Sequence, residues 1–267
     1  MEQDYRTLTF DELELIEKST ARTVVQALQE YSREAKQIFD QTQAASENEV
    51  IVLAEDILQY ALEVAECYPI NRRYAGFIDY KRVRWLTMPF GLFPQALLVD
   101  AKASTENNRD TLQQSQLPMD AEFVDASGRP YKMTAGVIPH LVITANDAKL
   151  LYAISTSIFV HFYYKNVGAT PPFRNLKSIF VLSIPHATLK VRYNPDPKTS
   201  FFGQGKHSPS RGEVARIRVY FSRLRQMCPW RLQELSYSPG SEYTKAEWRD
   251  TNASGQETMT GFDFIGR

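Results

Sequence analysis

Cysteine is scarce: Cys67 and Cys228 are the only two in the chain, which excludes a disulfide framework and any metal centre built on paired thiolates. Histidine is nearly as thin. Of His140, His161, His186 and His207, none has a second His or Cys at ligand spacing, so the sequence offers no zinc site. No apolar run approaches the roughly 20 residues of a membrane helix. The acidic start, Met1-Glu2-Gln3-Asp4-Tyr5, lacks the basic and then apolar form of a secretion signal. Glycine-rich phosphate loops, a nucleophile elbow, internal repeats and low-complexity segments are all missing. Together these absences point to a cytoplasmic protein that does not touch a membrane.

Net charge is also missing, with 31 basic and 31 acidic residues, which by itself argues against indiscriminate binding to nucleic acid. The distribution argues otherwise. Residues 1–66 hold 15 Asp and Glu against 5 Lys and Arg, whereas residues 198–231 hold 8 Lys and Arg against Glu213 alone. One part of such a chain can meet a polyanion while the rest repels it.

The chain is 43% hydrophobic, enough for a sizeable core. With no linker in view, it reads as one domain over 1–267 with a helical N-terminal part at 1–68. Thr9-Phe10-Asp11-Glu12 has the form of a capping box. The apolar period from Leu13 to Phe39 then predicts one long helix over 10–41. A second helix is expected over 50–67, ended by Pro69. Beyond residue 74 the pattern is that of strands, at 74–86, 95–101, 155–164, 178–184 and 214–221. A turn-rich connection is expected at 88–94, a helix or loop at 107–116 and a loop at 203–212. These predict an α/β fold with a central mixed β-sheet flanked by helices.

The most informative stretch is Gln95-Ala96-Leu97-Leu98-Val99-Asp100-Ala101-Lys102. Residues two apart on a strand share a face, so Asp100 and Lys102 project together at the end of an apolar run. Asp79 lies in the preceding strand-like segment. Two carboxylates and an ammonium at one point suit a divalent cation and a water: Asp79, Asp100 and the Ala101 carbonyl as oxygen ligands for Mg²⁺, with Lys102 serving the water and the developing charge. The expected catalytic strands span 74–104. His161, inside an apolar strand, reads as a hydrogen-bonded sheet histidine.

A second pattern lies at Val214-Ala215-Arg216-Ile217-Arg218-Val219-Tyr220-Phe221. Its alternation puts Ala215, Ile217, Val219 and Phe221 on one face and Arg216, Arg218 and Tyr220 on the other. A strand carrying two guanidiniums suits guanine edges in a DNA major groove. Lys206 and His207, in the preceding loop, and Asn108 and Arg109, just past the catalytic strand, can add base or phosphate contacts. The DNA-reading part is thus expected over 198–225.

These segments, together with Tyr68-Pro69-Ile70-Asn71-Arg72-Arg73 and Tyr193-Asn194-Pro195-Asp196-Pro197, resemble the PD-(D/E)xK nucleases, and among them the SfiI-type restriction endonucleases of the BglI-like branch. Ile78 departs from the superfamily, which usually has Pro before the first Asp. The resemblance implies a restriction-endonuclease-like fold and a bacterial type II enzyme. Such an enzyme cuts both strands of duplex DNA at an interrupted palindrome, GGCCNNNNNGGCC, with Mg²⁺, as a homotetramer (a dimer of dimers) holding two DNA copies. It implies Asp79, Asp100 and Lys102 as the catalytic set and Lys206, Arg216 and Arg218 as the principal base readers. Two other readings share the basic strand: a sequence-specific DNA-binding regulator without cleavage, and a structure-selective repair nuclease of the same fold.

Overall fold

A computed structural model describes residues 7–43, 46–64, 68–69, 80–105, 111–114, 117–134, 139–144, 150–168, 170–245 and 247–261, apart from 206–216. Helix α1 (Phe10–Glu30) starts at the expected capping box, in which Thr9 and Glu12 satisfy one another's backbone N–H groups. The single long helix predicted from periodicity is two, because α2 (Ser32–Gln41) follows after Tyr31 leaves helical geometry at φ −92°, ψ 9°. The Tyr237 hydroxyl donates to the Ser32 carbonyl at 2.7 Å, and Tyr31 packs on Tyr60 with ring centres 4.8 Å apart. Helix α3 (Glu47–Val64) completes the N-terminal layer, three residues earlier at its start than predicted.

After β1 (Tyr68–Pro69), β2 (Tyr80–Met88) and β3 (Gly91–Ser104) form an antiparallel pair joined by a turn of only Pro89 and Phe90. The expected connection over 88–94 is thus mostly strand, with Pro94 paired opposite Trp85. Strand β4 (Thr111–Gln114) lies where a helix or loop was expected. A hairpin of β5 (Ala121–Val124) and β6 (Pro130–Met133) follows, then β7 (His140–Thr144), β8 (Leu150–Val167) and β9 (Phe173–Ile184). Short helix α4 (Lys190–Tyr193) leads to β10 (Phe202–Gln204), at the start of the predicted 203–212 loop. Strand β11 (Ile217–Tyr220) gives way at once to α5 (Phe221–Met227), so Phe221 begins a helix rather than ending a strand. Strands β12 (Leu232–Ser236), β13 (Glu247–Thr251) and β14 (Glu257–Gly261) close the chain.

The main sheet has the order β1-β2-β3-β8-β9-β12, with β7 also on β8. It is mixed, because β3 and β8 are parallel while the other pairs are antiparallel. A parallel pair needs a crossover, and the chain between β3 and β8 supplies β4 to a second sheet ordered β10-β11-β4. Both faces of the main sheet are covered, which is why β3 reads as continuous apolar sequence. Leu97, Val99 and Ala101 join Val24, Leu28, Phe39, Ile57 and Leu58 of the helices in one core. Ala96 and Leu98 join Phe159, Phe180, Ile217, Val219 and Phe221 in the other.

A buried ion pair fastens α1 to the end of this sheet. Arg231 Nη2 donates to Glu17 Oε2 at 2.7 Å, and the backbone N–H of His186 donates to Glu17 Oε1 at 2.7 Å. The Arg231 guanidinium lies between the rings of Tyr193 and Trp230, at 4.2 and 4.3 Å. Its full burial is the largest single influence and disfavours the charge, but Glu17, Tyr193 and Cys228 around it together outweigh that and hold it protonated.

Candidate active site and DNA-reading sheet

Strand β3 is apolar on both faces until it passes the last described β2 pair, Tyr80 with Val99, and then runs on to Ser104. Asp100 and Lys102 occupy that extension. As the two-residue period requires, they share a face, and Lys102 Nζ lies 2.8 Å from Asp100 Oδ2. The carboxylate is largely buried, its residue being 8% exposed, while the lysine keeps about a third of its side chain in solvent, 32%. A nearly buried carboxylate at a strand end, already bonded to an ammonium, presents hard oxygen ligands beside a cation that can move toward substrate. Ala101 is fully buried between them.

Strand β8 sets the site's floor. In the parallel register His161 lies opposite Lys102 and Tyr163 opposite Ser104. The Ser104 hydroxyl and His161 Nε2 are hydrogen-bonded at 2.6 Å, so the sheet-histidine reading holds, and the bond reaches β3. Burial, and after it the nearby Lys102 charge, pull the imidazole down to about 4, leaving a neutral ring beside the ammonium at neutral pH. Composition alone could not show this arrangement. The Asp-x-Lys-x-Ser alternation was the available signal, since it places Ser104 on the same face as Lys102.

Asp79 lies outside the described residues, and among those that are described no three acidic, His or Cys side chains converge. Asn108, Arg109, Lys206, His207 and Arg216 are outside them as well. Asp100, Ala101, Lys102 and Arg218 are the predicted residues that can be placed.

Arg218 is in the middle of β11, which pairs on one side with β10 and on the other with β4. Its register partners are Gly203 and Gln113. As predicted, Ile217 and Val219 are fully buried, while Arg218 and Tyr220 look the other way and are half-buried. Arg218 Nε is buried without a hydrogen-bond acceptor among the described residues. Such an orphan donor is costly and is usually explained by a ligand, water or ion. Gly203, the register partner of Arg218, makes room for the Tyr220 ring: a Cβ there would sit 2.5 Å from it. Arg223 stacks over that ring at 4.3 Å and donates to the Ser200 carbonyl at 3.0 Å. The pairing of β4 with β11 was not foreseen. It makes the segment just past β3 a neighbour of the arginine strand.

The family model described as "Type II restriction enzyme SfiI" matches residues 34–235. The chain is 67% identical to the type II restriction enzyme SfiI of Streptomyces fimbriatus, over the full length of both. Among solved structures it is similar to tetrameric restriction endonuclease SfiI bound to cognate DNA, with a TM-score of 0.89, 67% identity and complete coverage of both chains. It is also similar to restriction endonuclease BglI bound to its DNA recognition sequence, with a TM-score of 0.64 and 13% identity, covering 84% of this chain and 90% of that one. The BglI likeness bears on the fold alone.

Proposed function

The chain belongs to the SfiI family of type II restriction enzymes, and from that premise we propose that it is a Mg²⁺-dependent nuclease that cuts both strands of duplex DNA at GGCCNNNNNGGCC. The observation that carries the reading is the Asp100–Lys102 pair at the end of β3, 2.8 Å apart and largely buried on the carboxylate side. The fold is that of a restriction endonuclease, a mixed sheet with helices on its flank.

Asp79, Asp100 and the Ala101 carbonyl would hold the cation. The donors fit it: they are hard oxygens, and no thiolate or imidazole is among them. Asp79 directly precedes Tyr80, whose register partner is Val99. When bound, Mg²⁺ supplies charge neutralisation and a more acidic water. Lys102 orients the attacking water and moves its proton, it stabilises the charge developing on the scissile phosphate, and its bond to Asp100 holds it on that face. Burial of Asp100 and Ala101 excludes bulk water from the same point.

Recognition falls to Arg218 and Arg216 on the reading strand, with Lys206, His207, Asn108 and Arg109 around it. The Arg218 Nε, without an acceptor among the described residues, supports this role, since a base edge offers one. The SfiI structure is described as tetrameric and bound to cognate DNA. We assign the same assembly to this chain, a dimer of dimers holding two DNA copies in the bacterial cytoplasm. Among the described residues no helix is long and apolar enough to cross a membrane.

The test is a plasmid carrying two copies of the site, incubated with Mg²⁺ and separately with Ca²⁺. Discrete double-strand cuts in Mg²⁺ and binding without cutting in Ca²⁺ are expected, and sequencing the ends reports site, symmetry and stagger together. Binding with no cleavage under any divalent metal would leave the regulator reading instead.

A further inference from the structure

The geometry points to His161 as a positioning residue that seats the catalytic end of β3 and ties it to the strand that reads DNA. This inference rests on the nuclease reading above.

Four strands contribute one lateral row of side chains on the catalytic face. Lys102 of β3 is opposite His161 of β8, His161 is opposite Phe180 of β9, and Phe180 is opposite Glu234 of β12. His161, 1% exposed, is therefore the immediate neighbour of the lysine, and its bond to Ser104 fixes the strand two residues further on. Ser104 Oγ also lies 3.5 Å from the Thr105 carbonyl. A hydroxyl has one hydrogen; when it goes to that carbonyl, the imidazole donates through Nε2 and Nδ1 becomes a bare acceptor. Nδ1 is buried and has no hydrogen-bond partner among the described residues. An apolar side chain would fill this place without that cost, so packing alone does not account for a histidine. A donor to Ser104 that stays neutral beside the lysine does, and the lowered imidazole fits that requirement.

The other side of the ring meets the reading sheet. Phe221, the residue immediately after β11, packs edge-on to His161 with ring centres 5.9 Å apart and lies 5.5 Å from Phe180. Beyond Phe180 and Phe221 is a cavity of about 260 Å³, also lined by Arg225, Leu232 and Arg249. Phe221 is therefore confined on the His161 side and has room on the other. A shift of β11 as duplex seats against Arg218 moves Phe221 on the imidazole, and the imidazole moves Ser104 and with it the end of β3. His161 makes cutting respond to what is read, without touching DNA itself.

The experiment compares His161→Leu, His161→Gln and Ser104→Ala with the wild-type chain, on the cleaved site and on a site with one base pair changed. Single-turnover cleavage in Mg²⁺ and affinity in Ca²⁺ are read side by side. Misplacement of reacting groups by an ångström costs on the order of a hundredfold in rate, so His161→Leu is expected to slow cognate cleavage at least about tenfold with affinity essentially unchanged. Its preference for the cognate over the altered site should shrink as well. His161→Gln, whose amide can still donate to Ser104, should recover most of the rate. Cleavage by His161→Leu at the wild-type rate, or a parallel loss of cleavage and affinity in all variants, overturns the inference. If His161→Leu does not fold, Ser104→Ala decides: slower cleavage with intact affinity supports the positioning role, and wild-type cleavage overturns it. A wild-type chain that does not cut overturns the nuclease reading itself, a result distinct from unaffected variants of an active enzyme.

Discussion

Replacing Lys102 by Met keeps most of the aliphatic stem and removes the ammonium that lies 2.8 Å from Asp100 Oδ2. The structural cost is modest, because the lysine end of the pair is 32% exposed and water screens it; about 1 kcal/mol is reasonable for such a bond. That corresponds to roughly 2–4 °C in melting temperature for a chain of this size. The chemical cost is larger. Removing one preorganised donor to developing charge costs about 10²–10³ in rate, near 3–4 kcal/mol, and removing a group that also moves the water's proton costs about 10²–10⁴. Single-turnover cleavage of a supercoiled plasmid should therefore fall at least about a hundredfold, while binding in Ca²⁺ and the melting curve change little. Lys102→Arg separates the two contributions, since a guanidinium keeps the charge but does not give up its proton. Arg should restore part of the charge stabilisation and none of the proton transfer. Cleavage by Lys102→Met within about threefold of wild type would refute the assignment, because neither contribution is that small.

Arg218→Ala should cost about 1–3 kcal/mol of discrimination at one base pair, measured as the ratio of affinities for the cognate site and a site altered there. An equal loss on all sequences, with a salt dependence shallower by about one unit of slope, would mark Arg218 as a phosphate contact instead. Glu17→Gln leaves the buried, charged Arg231 with only the more distant Glu14 carboxylate, 3.9 Å away, so urea unfolding should report a loss of about 3–5 kcal/mol; a loss under 1 kcal/mol would mean that desolvation cancels the pair. His161 sets a pH dependence of stability. Its native imidazole is down at about 4 against an unfolded value near 6.5. Between those values the unfolded chain binds the proton and the native chain does not, so stability is lost as pH falls through that window, by roughly 3 kcal/mol in full. Unfolding free energies from pH 7 to pH 4.5 should show the slope, and His161→Gln should remove that share of it.

The parts of the fold that local rules govern were legible. The Thr9 capping box formed as written, and the apolar run before Asp100 became a strand buried on both faces. The alternation at 217–220 put Ile217 and Val219 inside and Arg218 outside. What could not be seen was set by partners far along the chain. The interruption at Tyr31 contains neither Gly nor Pro; it coincides with a hydrogen bond from Tyr237. The polar segment 111–114 has little strand character of its own and is a strand because β11 lies beside it. Pro94 suggested a turn, yet the hairpin closes at Pro89 and Phe90 and Pro94 is carried inside the pair. For the candidate site, the two-residue period sufficed to pair Asp100 with Lys102. It could not reveal His161 beneath them, since that depends on the register of a parallel strand reached through a crossover.

The crossover between β3 and β8 has an outcome for biosynthesis. A ribosome that has released β2 and β3 has already exported Asp100 and Lys102, and β4 soon after. The middle strand of the sheet that β4 joins is still untranslated at that moment, because β11 comes from much later in the message. A product truncated before β11 carries the Asp100–Lys102 pair without Arg218, and without Phe221 against His161.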